Sequence, residues 1–183
     1  MNSLEILNSL LLIPRHTVGV FPADRIVEKW IKPCAFVFNT DNHSGPGLHW
    51  LAIYVDKNSD GWFFDSFGRK PFIREHLRVI RKNCQLLRWN TIQLQSLESS
   101  HCGYFCVMFL HFLSSGKTMH QFQSIFSENL QDNDRISATF VKKICKKARN
   151  SRHLYKGGGT PHHDTSTLSR FVPLYSLQCC SRR

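Results

Sequence analysis

Gln95-Ser96-Leu97-Glu98-Ser99-Ser100-His101-Cys102-Gly103-Tyr104-Phe105-Cys106-Val107-Met108-Phe109-Leu110-His111-Phe112-Leu113 is the stretch on which the reading of this chain turns. A polar loop, Gln95 to His101, runs into Cys102-Gly103 and then into an apolar segment, Tyr104 to Leu113. That segment is long enough for about three helical turns. It is apolar nearly all round, so the helix it predicts is central and buried rather than on a surface. Cys102 stands where the loop becomes the helix. Unpaired backbone N–H groups and the helix dipole favour an anion there. A thiol in that position is expected to lose its proton more readily, and the thiolate is the nucleophile. The competing reading of Cys102 is a small buried hydrophobe, which fits most free cysteines.

Working outward, His49 to Val55 and Trp62 to Asp65 read as two strands of a hairpin around Lys57-Asn58-Ser59-Asp60-Gly61. Cys34 to Phe38 predicts a buried strand, and Val18 to Pro22 an extended element. Residues 3–13 predict an amphipathic helix capped by Ser3 and ended by Pro14. Asp24 is placed to cap a short helix through Trp30. Residues 71–82 predict a helix with Pro71 in its first turn and a stripe of Phe72, Ile73, Leu77 and Ile80. Arg74, Arg78, Arg81 and Lys82 share its other side. Residues 84–94 predict a further strand. At least one more helix follows within 119–149, with Ile136, Phe140, Ile144 and Ala148 at four-residue steps. Residues 157–183, opened by Gly157-Gly158-Gly159, predict a flexible tail behind a domain spanning 1–156.

The composition of the 183 residues excludes wholesale disorder, collagen and coiled coil, since 42% are apolar and 12% aromatic. The net charge of +11 points to a polyanionic partner such as nucleic acid. The seven cysteines are scattered and form no Cys-x-x-Cys pair, so a zinc ribbon is not expected and neither is any other metal. No signal peptide is expected from the Leu10 to Ile13 run, which lacks a basic stretch before it, and no stretch approaches the ~20 apolar residues of a membrane span. The expectation is a monomer from a reducing compartment that is neither secreted nor membrane-bound.

Three residues give Cys102 a chemical context. His49 opens a strand after a Gly-rich turn, where a neutral imidazole can take a thiol proton to give a thiolate–imidazolium pair. If 49–55 and 62–65 pair, Asp65 lies at the same end as His49, where its carboxylate can hold one ring nitrogen. A turn-capping role before Ser66 and Gly68 is the alternative for Asp65. Gln95, seven residues before Cys102, can join the Cys102 backbone N–H in binding a developing oxyanion. Gln93 is a competing candidate for that role.

Gly47-Leu48-His49-Trp50, Phe63-Phe64-Asp65-Ser66-Phe67-Gly68, Gln95 and Ser100-His101-Cys102-Gly103-Tyr104-Phe105-Cys106-Val107-Met108-Phe109-Leu110-His111 together resemble the adenovirus-type cysteine proteases, the adenain family. Relatives of that family occur in other DNA viruses and in Polinton/Maverick transposons. The resemblance extends to Gly19-Val20-Phe21-Pro22 and Phe38-Asn39-Thr40 and covers roughly residues 15–145. It implies an α+β fold, an adenain/SUMO-protease-like core in which a mixed sheet packs on a central helix that starts at the nucleophile. By position it implies His49 as general base, Asp65 as the acidic orienter, Gln95 as the oxyanion glutamine and Cys102 as nucleophile, with Trp50 in packing only. The implied activity is a thiol endopeptidase of virion-like structural precursors, cutting at Gly-containing sites in a host nucleus or virion. The resemblance further implies DNA as a polyanionic cofactor, for which Arg74, Arg78, Arg81 and Lys82 are candidate contacts. It also implies a short activating peptide, which Cys84 matches in position as a tether. The tail, with Cys179 and Cys180, is a candidate source of that peptide, and Tyr155-Lys156-Gly157-Gly158 is a candidate self-cleavage site.

Two other classes compete. SUMO- or ubiquitin-like-protein proteases share the order His, Asp, Gln, Cys, but typically place the glutamine six residues before the cysteine and an Asp directly before it. Here those positions hold Ser96 and His101. A non-catalytic DNA-binding protein is the second competitor, motivated by the basic segments 69–88 and 135–156, whose plain reading is a solvated face.

Overall fold

The computed structural model describes the backbone of residues 1–155 and the side chains of residues 1–148. The tail from residue 157, its cysteines and the Lys156-Gly157 site lie outside the described residues. At the centre is a five-stranded mixed sheet in the order β1-β2-β3-β4-β5, formed by Thr17–Phe21, Cys34–Asn39, Trp50–Val55, Asp60–Phe64 and Leu86–Trp89. β1 pairs with β2 in parallel, β2 with β3 and β3 with β4 antiparallel, and β4 with β5 in parallel. The expected hairpin is present, with Ala52 opposite Phe64 and Val55 opposite Gly61.

β1 and β2 are buried throughout, which is why they read as unbroken apolar runs rather than alternating ones. The pleat sends alternate side chains to two cores. Ala35, Val37, Trp50, Ala52 and Phe64 face a helical layer of α1 (Ser3–Leu10), α3 (Cys102–Ser114) and α5 (Leu130–Tyr155). Cys34, Phe36, Phe38, Leu51, Ile53 and Val55 face the other side, against Trp30 and the Val79 and Ile80 of α2 (Arg74–Asn83). The small Ala35 and Ala52 let the central helix α3 sit close to the sheet, and Phe109 of α3 stacks on Phe64 at 4.7 Å. α3 is buried on nearly every face, as its composition predicts. It ends in a Schellman turn: Gly116, at φ 82°, donates its N–H to the Leu113 carbonyl, and Lys117 donates to Phe112. The short α4 (Met119–Gln123) adds Phe122, edge-on to Phe64 and Phe109.

Several local expectations are corrected. α1 is capped by Asn2, in a reciprocal box with Glu5, and ends at Leu10, ahead of Pro14. No helix forms over 24–30, because the Asp24 carboxylate binds the His43 backbone and ring instead of capping its own chain. α2 begins at Arg74, three residues later than Pro71 predicts, and buries His76, Val79, Ile80 and Asn83. Phe72 lies outside it and is exposed. β5 stops at Trp89 rather than 94, because Asn90 turns inward to hold Asp65. On α5 the deepest residues are Asn133, Ser137 and Val141, with Ile136, Phe140 and Ile144 half-buried at their flank. No described helix is long and apolar enough to cross a membrane.

Candidate active site

The C-terminal end of α2 and the N-terminal end of α3 lie on opposite faces of the sheet, and only the second opens into a cleft with the expected site residues. His49 is delivered there by a braced loop. The Asn39 side-chain oxygen accepts the backbone N–H of Asp41 at 2.8 Å and of Leu48 at 3.2 Å, and the His49 carbonyl accepts the Thr40 N–H at 2.9 Å. Gly45 passes so close to Asp41 that a Cβ there would stand 2.1 Å from its carboxylate. β3 begins at Trp50, so the imidazole stands at the mouth of the sheet rather than inside it.

Asp65 follows the last residue of β4 and is wholly buried. Its Oδ1 lies 2.8 Å from His49 Nε2 and also accepts the Phe67 N–H at 3.0 Å. Gly68 closes this turn at φ 73°, where a Cβ would meet the backbone of Thr91 and Ile92 within 3.0 Å. Asn90 grips the Asp65 backbone from both sides, accepting its N–H at 3.0 Å and donating to its carbonyl at 2.7 Å. The Phe67 ring leans on the imidazole at 5.1 Å.

Because Asp65 holds Nε2, Nδ1 is the ring nitrogen left for Cys102, whose side chain hydrogen-bonds His49. Cys102 is the first residue of α3, and no side chain caps that helix end. Burial penalises both charged forms, yet in both residues it is outweighed. The His49 pKa is raised to about 9, against the pull of burial, by its bonds to Asp65 and Cys102. The Cys102 thiol is held below its ordinary value, again against burial, by His49 and by the backbone N–H groups of Trp50 and Gly103. Both shifts favour a thiolate–imidazolium pair. Cys106, one turn on, has the opposite character: fully enclosed and donating to the Trp50 carbonyl at 3.3 Å, it has its pKa raised by burial.

Gln95 and Cys102 line one cleft of about 470 Å³ with His49. The Gln95 amide is buried and held at both ends: Oε1 accepts the Ser66 hydroxyl at 2.6 Å, and Nε2 donates to the Ser99 carbonyl at 2.6 Å. Gln93 lines a different depression, with Phe126 and Leu130, and its amide braces the Gln95 carbonyl at 2.9 Å. Leu48, Phe67 and Phe72 form apolar walls of the cleft, and Leu48 and Phe72 are 67% and 52% exposed. Arg69, at its edge, stacks over Phe67 at 5.3 Å.

The remaining sequence candidates lie elsewhere. Cys84 is half-buried at the end of α2, beside Gly61 on the sheet face away from α3, and burial first of all pushes its thiol up to about 11. On α2, Arg78 and Lys82 both pair with Glu28, at 2.5 and 2.8 Å, whereas Arg74 and Arg81 make no ion pair among the described residues. No group of three or more His, Cys, Asp or Glu suited to a metal ion occurs among the described residues. Sequence reasoning missed Asn90 and the Ser66–Gln95 bond. Asn90 had no local signal, whereas Ser66 stood in plain view beside Asp65.

No protein-family model matches the chain. A protease of bovine adenovirus C serotype 10 is 27% identical over 161 residues, covering 79% of each chain. The cysteine protease of African swine fever virus is 30% identical over 94 residues, 43% of this chain and 34% of that one. A mimivirus protein named as a thiol protease is 27% identical over 117 residues, 58% of this chain and 37% of its own length. The adenovirus proteases and these related viral cysteine proteases are homologues of this chain. The chain thus matches about a third of the length of the African swine fever virus and mimivirus homologues. The crystal structure of the African swine fever virus protease superposes with a TM-score of 0.52 at 16% identity, covering 75% of this chain and 66% of the other. The α+β, SUMO-protease-like fold is therefore shared with the African swine fever virus protease.

Proposed function

We propose that this chain is a cysteine endopeptidase in which Cys102 is the nucleophile, His49 the general base, Asp65 its orienter and Gln95 an oxyanion donor. One observation carries the reading: a single imidazole bonds a buried carboxylate through Nε2 and shares its cleft with the thiol of a helix-initiating cysteine, and the pKa values of His49 and Cys102 are displaced towards the charged pair. Cys102 attacks the scissile carbonyl carbon, and His49 passes its proton to the leaving amine. A thioester remains, and water deprotonated by His49 hydrolyses it to free the acid and regenerate the thiol. The Cys102 backbone N–H, at the uncapped start of α3, and one Gln95 amide N–H bind the oxyanion of each tetrahedral intermediate. Replacing Gln95 by Ala is expected to lower kcat on the order of 10²–10³-fold, the usual cost of one oxyanion donor, and replacing Gln93 by Ala to leave kcat within a few-fold. The reverse ranking in steady-state kinetics would reassign the donor.

The substrates we propose are structural precursor proteins of a virus or a virus-like transposon, cut at Gly-containing sites. Small residues let an extended substrate lie close to the protease backbone beside Trp50 and Thr40. The test is cleavage of capsid-type peptides with Gly-Gly or Gly-Ala sites set against processing of a SUMO precursor, which would favour the competing class. DNA stimulation belongs to the same proposal. Glu28 already engages Arg78 and Lys82, so Arg74 and Arg81 are the α2 cations ready for phosphate. Together they are expected to contribute about −2 to the slope of log K against log salt, about −0.9 per duplex phosphate contact. Cleavage rates with and without duplex DNA across a salt series check this; equal rates at low salt would remove DNA from the mechanism.

A further inference from the structure

A glutamine amide can face either way in its slot, because its oxygen and nitrogen ends have the same shape. Only one of the two orientations offers a donor to an oxyanion. In this chain both ends of the Gln95 amide are held, one by a group that accepts only and one by a hydroxyl that adapts to it. The Ser99 carbonyl can only accept, so it requires nitrogen on its side. The Ser66 hydroxyl, with no exposed surface, then donates to Oε1 at 2.6 Å. One amide N–H is used on Ser99, which leaves the second for the cleft that Gln95 lines with Cys102. Ser66 also accepts the backbone N–H groups of Leu94 and Gln95 on its carbonyl, at 2.8 and 3.2 Å, so the two segments are pinned at three points.

We propose that Ser66 is the positioning residue of the oxyanion site, holding the Gln95 amide so that its free N–H points to the carbonyl under attack. The inference rests on the reading of the chain as a cysteine endopeptidase. It gives the adjacent pair Asp65-Ser66 a joint role: the carboxylate aligns the base and the hydroxyl aligns the oxyanion donor. Asn90 and the tight approach of Gly68 to residues 91 and 92 hold that pair as one rigid turn. Without the Ser66 hydroxyl, Oε1 is a buried acceptor lacking a donor. The amide then relaxes towards other donors and takes its N–H out of line.

The experiment compares the wild-type chain with Ser66→Ala, Gln95→Ala and the double variant. It reads kcat and KM on a Gly-site peptide and, separately, the rate of Cys102 alkylation by iodoacetamide. Alkylation is displacement at a saturated carbon and develops no oxyanion, so it reports the thiolate–imidazolium pair alone. Ser66→Ala is expected to lose about 10–10²-fold in kcat, with KM and alkylation within about two-fold of wild type, and to add nothing further in the Gln95→Ala background. A wild-type kcat in Ser66→Ala, or a loss that repeats in full on top of Gln95→Ala, would overturn the inference. If Ser66→Ala does not fold, Ser66→Cys supplies the measurement. Its weak S–H donor is expected to give a kcat between those of wild type and Gln95→Ala, and a value outside that range would overturn the inference. A wild-type chain that cleaves no peptide and whose Cys102 reacts no faster than Cys84 overturns the endopeptidase reading, and the inference with it. A reactive wild type with an indifferent Ser66→Ala overturns the inference alone.

Discussion

Cys102→Ala is expected to abolish peptide cleavage, a loss on the order of 10⁶-fold, while the protein keeps its fold. The side chain contributes one sulfur at the start of a helix whose remaining residues, Phe105 to Leu110, anchor it in the core without it. Removing a buried thiol also removes an anion from beside His49, so the imidazole loses one of the causes that raise its pKa and should titrate at lower pH. Near-unchanged thermal unfolding together with no detectable product is the expected pair of results. The control is Cys106→Ala, one helical turn away. Its thiol is enclosed and its pKa raised, so it is not a nucleophile, and the variant should lose stability with kcat retained. Cleavage by Cys102→Ala, or its loss in folded Cys106→Ala, would show that the nucleophile was misassigned.

Which parts of this were legible beforehand depends on the range of the forces involved. The hairpin of β3 and β4 and the buried α3 follow from short-range periodicity and burial, and both stand where the pattern puts them. The relation of His49 to Asp65 was legible because a hairpin brings strand ends together by construction. Choices between near-equals rested on the family resemblance alone. Gln93 and Gln95 differ only in which side of the loop each faces, and that is set by Ser66 and Ser99. The helix expected over 24–30 failed for a related reason: Asp24 has an N-cap's chemistry, but His43, nineteen residues away, captures its carboxylate. β5 was overextended because nothing local distinguishes Asn90 from a strand residue. Its two bonds to the Asp65 backbone span 25 residues and leave no periodic trace. The stripe expected on α2 was wrong at Phe72, which precedes the helix, and at Leu77, which stands one position off the buried His76 and is half-buried. The buried His76 and Asn83 are polar residues that an apolar count passes over.

The second large effect concerns His49. His49→Ala is expected to cost on the order of 10⁴-fold or more in kcat, because nucleophile and base act as one unit. The variant also predicts a change in the shape of a pH profile, which a merely destabilised protein would not show. In the wild type, Cys102 is deprotonated below the ordinary thiol range because His49 carries the compensating charge. Its alkylation should therefore already be fast at neutral pH. Cleavage, which needs both charges, should rise as Cys102 ionises and fall as His49 loses its proton near pH 9. Without His49 the principal group that lowers the Cys102 pKa is gone, and the burial that opposes ionisation remains. The thiol then moves upward, so alkylation at neutral pH should collapse and recover only in alkaline solution. Asp65 would be left buried without its imidazole partner, so His49→Gln, whose amide can still donate to Oδ1, is the companion variant that separates chemistry from stability. It should show the same alkaline-shifted alkylation with a smaller drop in unfolding temperature. Wild-type alkylation at neutral pH in a folded His49 variant would mean that the helix end alone ionises Cys102, and the imidazole would lose its place as the counter-charge.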